Sequence, residues 1–130
     1  MVVAGVFGAL GVLLGAFGAH ALGDVLSPAR LATFETATRY HLVHTALVAV
    51  IALAAPAGRL YTTSAIAFVV GVILFSGSLY LLVVLDAPLL GAVTPLGGAA
   101  FLVGWGALAI AGWREPRDGG QAAKERRRDV

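Results

Sequence analysis

The chain has 130 residues, 59% of them hydrophobic and 12% charged, with a mean hydropathy of +0.91; a soluble domain carries about 25% charged residues, so this composition belongs in a bilayer and leaves no room for a soluble catalytic domain. Cysteine is absent, which excludes disulfides, thiolate metal sites and cysteine nucleophiles. The net charge of +2 is unevenly placed: five of the nine basic residues (Arg117, Lys124, Arg126, Arg127, Arg128) lie in the last fourteen positions, which beside apolar spans reads as a cytoplasmic anchor and not as a nucleic acid site.

The first apolar stretch, residues 2–22, has no charge and is long enough to span. Ala19-His20-Ala21 has the small-x-small look of a cleavage site, but no basic region precedes the run and the run exceeds a typical signal core, so a retained span is expected. Gly11 and Gly15, continued by Ala19 and Gly23, form a small-xxx-small face that admits a neighbouring helix. In the polar connection after it, Ser27 is suited to cap the second helix and Pro28 to open it. Residues 28–40 are amphipathic and are expected to lie at the headgroups, followed, not necessarily in line, by a span over 37–55.

Pro56-Ala57-Gly58-Arg59 reads as a turn. A third span is expected over 60–85, with Tyr61 at an interface and Ser76, Ser78 and Tyr80 in its later half, their hydroxyls able to bond the preceding turn. Asp86-Ala87-Pro88 breaks it. The fourth span, 90–113, opens near Thr94-Pro95, offers Gly97, Gly98 and Gly104 for close packing, and ends on Trp113 and Arg114. Residues 114–130 lack apolar periodicity and read as a basic disordered tail. The expected fold class is therefore all-α: one integral membrane bundle of four transmembrane helices over 1–113, the second preceded by an amphipathic interfacial segment.

Basic residues near the span ends, Arg59 and Arg114 with the tail, place both termini in the cytoplasm, while Arg30 and Asp86 fall on the opposite side. Threading the chain this way gathers His20, Glu35, Arg39, Tyr40, His41, His44, Ser76, Ser78 and Thr94 in the outer half. Ionisable groups in hydrocarbon normally face a partner or water, so this cluster is the candidate site. Glu35 and Arg39 are four apart and can pair on a helix, and His41 and His44 are three apart. The preferred reading is structural, with the histidines bonded to backbone or hydroxyl groups. Competing readings are a metal site of His20, His41 and His44 with Glu35, haem ligation by His20 with His41 or His44, and proton or small-solute passage lined by the histidines and Thr94. No nucleophile with a base and an orienting carboxylate is legible, so an enzyme is not expected.

Four pieces, Gly15-Ala16-Phe17-Gly18-Ala19-His20-Ala21-Leu22, Thr38-Arg39-Tyr40-His41-Leu42-Val43-His44, Leu74-Phe75-Ser76-Gly77-Ser78-Leu79-Tyr80 and Thr94-Pro95-Leu96-Gly97-Gly98, make the chain resemble the family labelled domain of unknown function 423, which takes in YgdD-like and transmembrane protein 256-like small membrane proteins. The resemblance covers residues 5 to 113 and leaves the tail outside. It implies a multi-span protein, in bacteria of the inner membrane, with no established activity, ligand or catalytic residue. Together these readings lead to a non-enzymatic accessory or interaction protein of the bacterial inner (plasma) membrane without cofactor or metal. Its expected partners are the lipid bilayer and either a second copy or another membrane protein, with no nucleic acid. Ending the chain after Arg114 is expected to leave the bundle inserted and folded; inverted topology on that cut would show that the tail's charges set the orientation.

Overall fold

In lipid a backbone amide finds no water, so each apolar run closes its hydrogen bonds within itself and becomes a helix. The computed structural model describes residues 1–114. Apart from Arg114, the expected tail lies outside the described residues. Among these the regular structure is entirely helical: α1 (Val2–Ala21), α2 (Pro28–Ala54), α3 (Arg59–Gly71), a π turn (Val72–Ser76), α4 (Gly77–Leu85), a 3₁₀ turn (Pro88–Ala92) and α5 (Thr94–Arg114). The α3–π–α4 series is one rod, so four rods are long and apolar enough to cross a membrane.

The start of α2 follows the sequence reading, with Pro28 in its first turn and Ser27 Oγ accepting from the Arg30 amide at 3.4 Å. Residues 28–40, which need not have continued in line with the span, run straight into it: α2 is one unbroken helix, residues 29–54 containing neither glycine nor proline, and the hydroxyls of Thr33, Thr36 and Thr38 bond carbonyls one turn back, those of Ala29, Ala32 and Phe34. The amphipathic part packs one side against protein, with Phe34 2% and Ala37 0% exposed. The fourth rod, Pro88–Arg114, covers the expected span, with its regular α-helix beginning at Thr94. Pro95 lacks the N–H that a helix interior requires, so it fixes α5 to begin just before it, and the preceding residues wind into the 3₁₀ turn.

Antiparallel packing of α1 on α2 is set by glycines. A Cβ at Gly11 would stand 2.7 Å from Leu42 Cδ2, one at Gly15 3.2 Å from Thr38 Cγ2, and one at Gly18 2.9 Å from Phe34 Cε1. The face expected to continue through Ala19 and Gly23 turns to Gly18 instead, because steps of four and three follow the 3.6-residue turn; Ala19 is exposed, and Gly23 has nothing within 4 Å. Between α3 and α5 the exchange is reciprocal: the Phe101 ring fills the place of a side chain on Gly71, and the Phe68 ring does so at Gly104. These two rings join Ala4, Val48 and Val72 in the core.

Gly97 lies against the backbone of Phe75, within 2.7 Å of its Cα for an added Cβ, whereas Gly98, expected to pack as well, is rotated about 100° away and meets nothing within 4 Å. Gly97→Ala is expected to cost about 1–3 kcal/mol, since a backbone cannot yield as a side-chain end can. Gly98→Ala should be neutral or slightly stabilising. Paired thermal melts in mild detergent check this, and equal melting temperatures would show that α5 does not approach the rod so closely.

Candidate functional site

His41 is the fourteenth residue of the 27 counted from Pro28, and its ring lies 3.3 Å from where Gly11, at the middle of α1, would carry a Cβ. His41 therefore stands where the middles of α1 and α2 meet, and His44 lies one turn further along α2.

The His41 ring bonds the carbonyl of Phe7 through Nε2 at 2.9 Å and packs against the Phe7 ring. A carbonyl only accepts, so the ring proton is on Nε2 and Nδ1 is left as the acceptor toward the Tyr80 hydroxyl, 3.4 Å away. The single Tyr80 hydroxyl proton is shared with Thr38 Oγ1, the nearer acceptor at 3.2 Å, and Thr38 in turn donates to the Phe34 carbonyl. His44 Nδ1 bonds the Tyr40 carbonyl at 2.8 Å, one turn back on its own helix. Its ring lies flat on Phe101, centroids 3.6 Å apart and planes 13° from parallel, with Phe68 at 5.4 Å. Tyr40 stacks beside His44 and leans on Phe75.

Hydroxyls complete the pattern. Ser64 donates to the Gly104 carbonyl at 2.8 Å, and Ser78 links to Thr94 at 2.9 Å while donating to the Phe75 carbonyl. Ser76, in the π turn, is fully buried, and its Oγ has no partner among the described residues; the same holds for Thr45 Oγ1.

The candidate residues therefore separate into groups. His41 and His44 lie on neighbouring faces of mid-α2, and Ser78 with Thr94 joins α4 to α5. His20, at the end of α1, and Glu35 and Arg39, on the N-terminal half of α2, are exposed. The Glu35–Arg39 pair does not form; both side chains are exposed, beside Gly15, Gly18 and Ala19 of α1. Among the described residues the ion pair is Arg30–Asp86 at 3.3 Å, and Arg30 also donates to the Val83 carbonyl, fastening the start of α2 to the end of α4. Gly18 packs on Phe34, which puts His20 near the N-terminal end of α2 and more than two turns from His41, so the three histidines do not converge. No group of three His, Asp or Glu side chains is set to hold a metal among the described residues. Sequence reasoning missed Phe7, Thr38 and Tyr80 as the partners of His41, and Phe101 as the plate under His44.

Beside His41 a groove of about 490 Å³ separates α1 from the α3–π–α4 rod. Its walls are Phe7, Leu10, Leu14 and other apolar side chains, and His41, Ser78 and Tyr80 supply its polar atoms.

Four apolar rods tied at mid-depth by hydrogen bonds to backbone carbonyls define a small multi-pass membrane protein. A family profile described as "Protein of unknown function (DUF423)" matches residues 14–98, and the chain belongs to this family. It is 41% identical over 106 residues to the UPF0382 membrane protein YwdK of Bacillus subtilis, covering 78% of this chain and 85% of that one. It is 36% identical over 104 residues to a UPF0382 membrane protein of Haemophilus influenzae, covering 79% and 84%. With the UPF0382 inner membrane protein YgdD of Escherichia coli the identity is 34% over 123 residues, 92% of each chain. No solved structure matches the chain.

The stacked His44 ring yields a prediction. His44→Ala should destabilise the bundle by about 2–4 kcal/mol, because it empties the space between Phe101 and Phe68. His44→Phe keeps the plate and should accumulate in membranes close to the parent level. Quantifying both by immunoblot and detergent melts checks this; a phenylalanine variant as poor as the alanine one would assign the loss to the imidazole nitrogens.

Proposed function

We propose that the chain is a non-enzymatic accessory protein of the bacterial inner membrane, acting through lateral association and not through chemistry at its centre. The observation that carries this reading is the destination of the central polar groups: His41 and His44 both end on backbone carbonyls, of Phe7 and Tyr40. A carbonyl accepts a hydrogen bond but cannot take a proton over and pass it on, so the first of these bonds ties α2 to α1 and the second fixes the ring on its own helix, instead of forming a relay. Ser64 on the Gly104 carbonyl does the same between α3 and α5.

Both termini are assigned to the cytoplasm. Arg59 and Arg114 lie at one end of the bundle, joined in sequence by the basic tail, while the Arg30–Asp86 pair closes the other end and offers less free positive charge. The inner membrane is supported by the name of the Escherichia coli relative.

The groove favours a second reading, small-solute binding or passage, because it brings His41, Ser78 and Tyr80 to an apolar wall open between two rods. Reconstituted protein with a pH-sensitive dye trapped inside the vesicles separates the two. The accessory reading expects proton flux at the level of empty vesicles, both for the parent and for His41→Ala. Flux that the parent supports and His41→Ala abolishes would overturn it.

A further inference from the structure

Glu35 and Arg39 are the charged side chains of the described spans that stand on a free surface away from any helix end. Arg39 lies one residue beyond Thr38, which touches Gly15, and Tyr40 leans on Phe75, so Arg39 is within about one turn of the middle of α1, α2 and the α3–π–α4 rod. Neither charge has an ion-pair partner among the described residues. An ionised group at that depth normally faces a partner or water.

We infer that this face of α2 is the interface with a second copy of the chain, in which Arg39 of each copy pairs with Glu35 of the other. The argument is charge complementarity at a fixed depth. A partner must bring a carboxylate one turn further out than the guanidinium, and a guanidinium one turn further in than the carboxylate. A second copy inserted with the same topology meets both conditions, because a two-fold axis along the membrane normal sets the two α2 helices side by side and parallel. Helical side chains lean toward their own N-terminus, which for α2 is the Arg30–Asp86 end, so each Arg39 reaches in the direction of Glu35 on the neighbouring helix. The pair is then made twice.

The remainder of the face is compatible with this pairing. Glu35, Arg39, Val43, Ala46, Val50 and Leu53 follow steps of three and four and are all exposed, the spacing of parallel helices that cross at about 20°. Below the charges the stripe is apolar, and Ala46 allows the axes to come close. The inference stands independently of the accessory reading, since a channel could dimerise in the same way.

The absence of cysteine makes the test direct in the full chain. Ala46→Cys, oxidised in native membranes with a mild reagent, is expected to give a disulfide-linked species of twice the monomer mass, whereas Leu102→Cys, exposed on α5, should not. In the Ala46→Cys background, Arg39→Glu should lower the cross-linked fraction roughly tenfold, and Glu35→Arg together with Arg39→Glu should restore it. Should Arg39→Glu fail to accumulate, Arg39→Gln read against the monomer level gives the same comparison. The inference is overturned by equal cross-linking at Leu102→Cys, by failure of the double reversal to restore the signal, by adducts only with a different protein, or by accumulated protein that remains monomeric. In the last case the charges extend to headgroups instead.

Discussion

Helices dissolved in hydrocarbon are not pushed together by water, since a lipid tail is as good a neighbour for leucine as another leucine. What holds this bundle is therefore close approach and hydrogen bonding, and both depend on where glycine leaves the backbone bare. Gly71 and Gly104 receive the rings of Phe101 and Phe68 from the opposite helix, a reciprocal lock that draws α3 and α5 together. His44 lies on the exposed face of the Phe101 ring, so the position of α2 follows from that lock. Ser64 reaches the Gly104 carbonyl because no side chain shields it.

The π turn distributes these constraints along the third rod. A wide turn presents the following residues at a different angle from an uninterrupted α-helix, and here the Gly77 amide bonds Val72 in the longer pattern. Downstream of it, Ser78 meets Thr94, Tyr80 meets Thr38 and His41, and the Val83 carbonyl meets Arg30. Three contacts made by α4 with two different helices thus depend on one irregular turn, against whose Phe75 the bare backbone of Gly97 rests. The fully buried Ser76 hydroxyl in the same turn is the place where local bonding is least complete.

The four spans, their breaks and the cap of α2 were legible because length, proline and charge report them directly. Facing was not. A helix that is apolar all round gives no periodic signal of which side meets protein, so Gly97 and Gly98 look alike in sequence although only one packs. Amphipathicity at the start of α2 does not say which surface its apolar side meets, and here Phe34 packs on Gly18 of α1. Where His41 lies along the bundle likewise depends on whether the helix is continuous, which composition does not report. Phe7 and Phe101 lie outside the four family pieces and Tyr80 stands in one that does not name its partners; their roles arise from the register between helices, which is set by packing and has no local code. The Arg30–Asp86 pair joins residues 56 apart (86 − 30), beyond the reach of any spacing argument.

The first helix packs chiefly on the second, through Ala4, Gly8, Gly11, Gly15 and Gly18, and its one central side-chain tie is His41 on the Phe7 carbonyl. Everything that joins these two helices is thus encoded before residue 60. During synthesis the pair can close as a hairpin while the third rod is still being made, with its amide groups satisfied and its glycine face covered. The later helices then add through Tyr40 and His44, and Tyr80 closes onto Thr38 and His41 of that first seam. The order of assembly in the membrane is in this sense written into the direction of the chain.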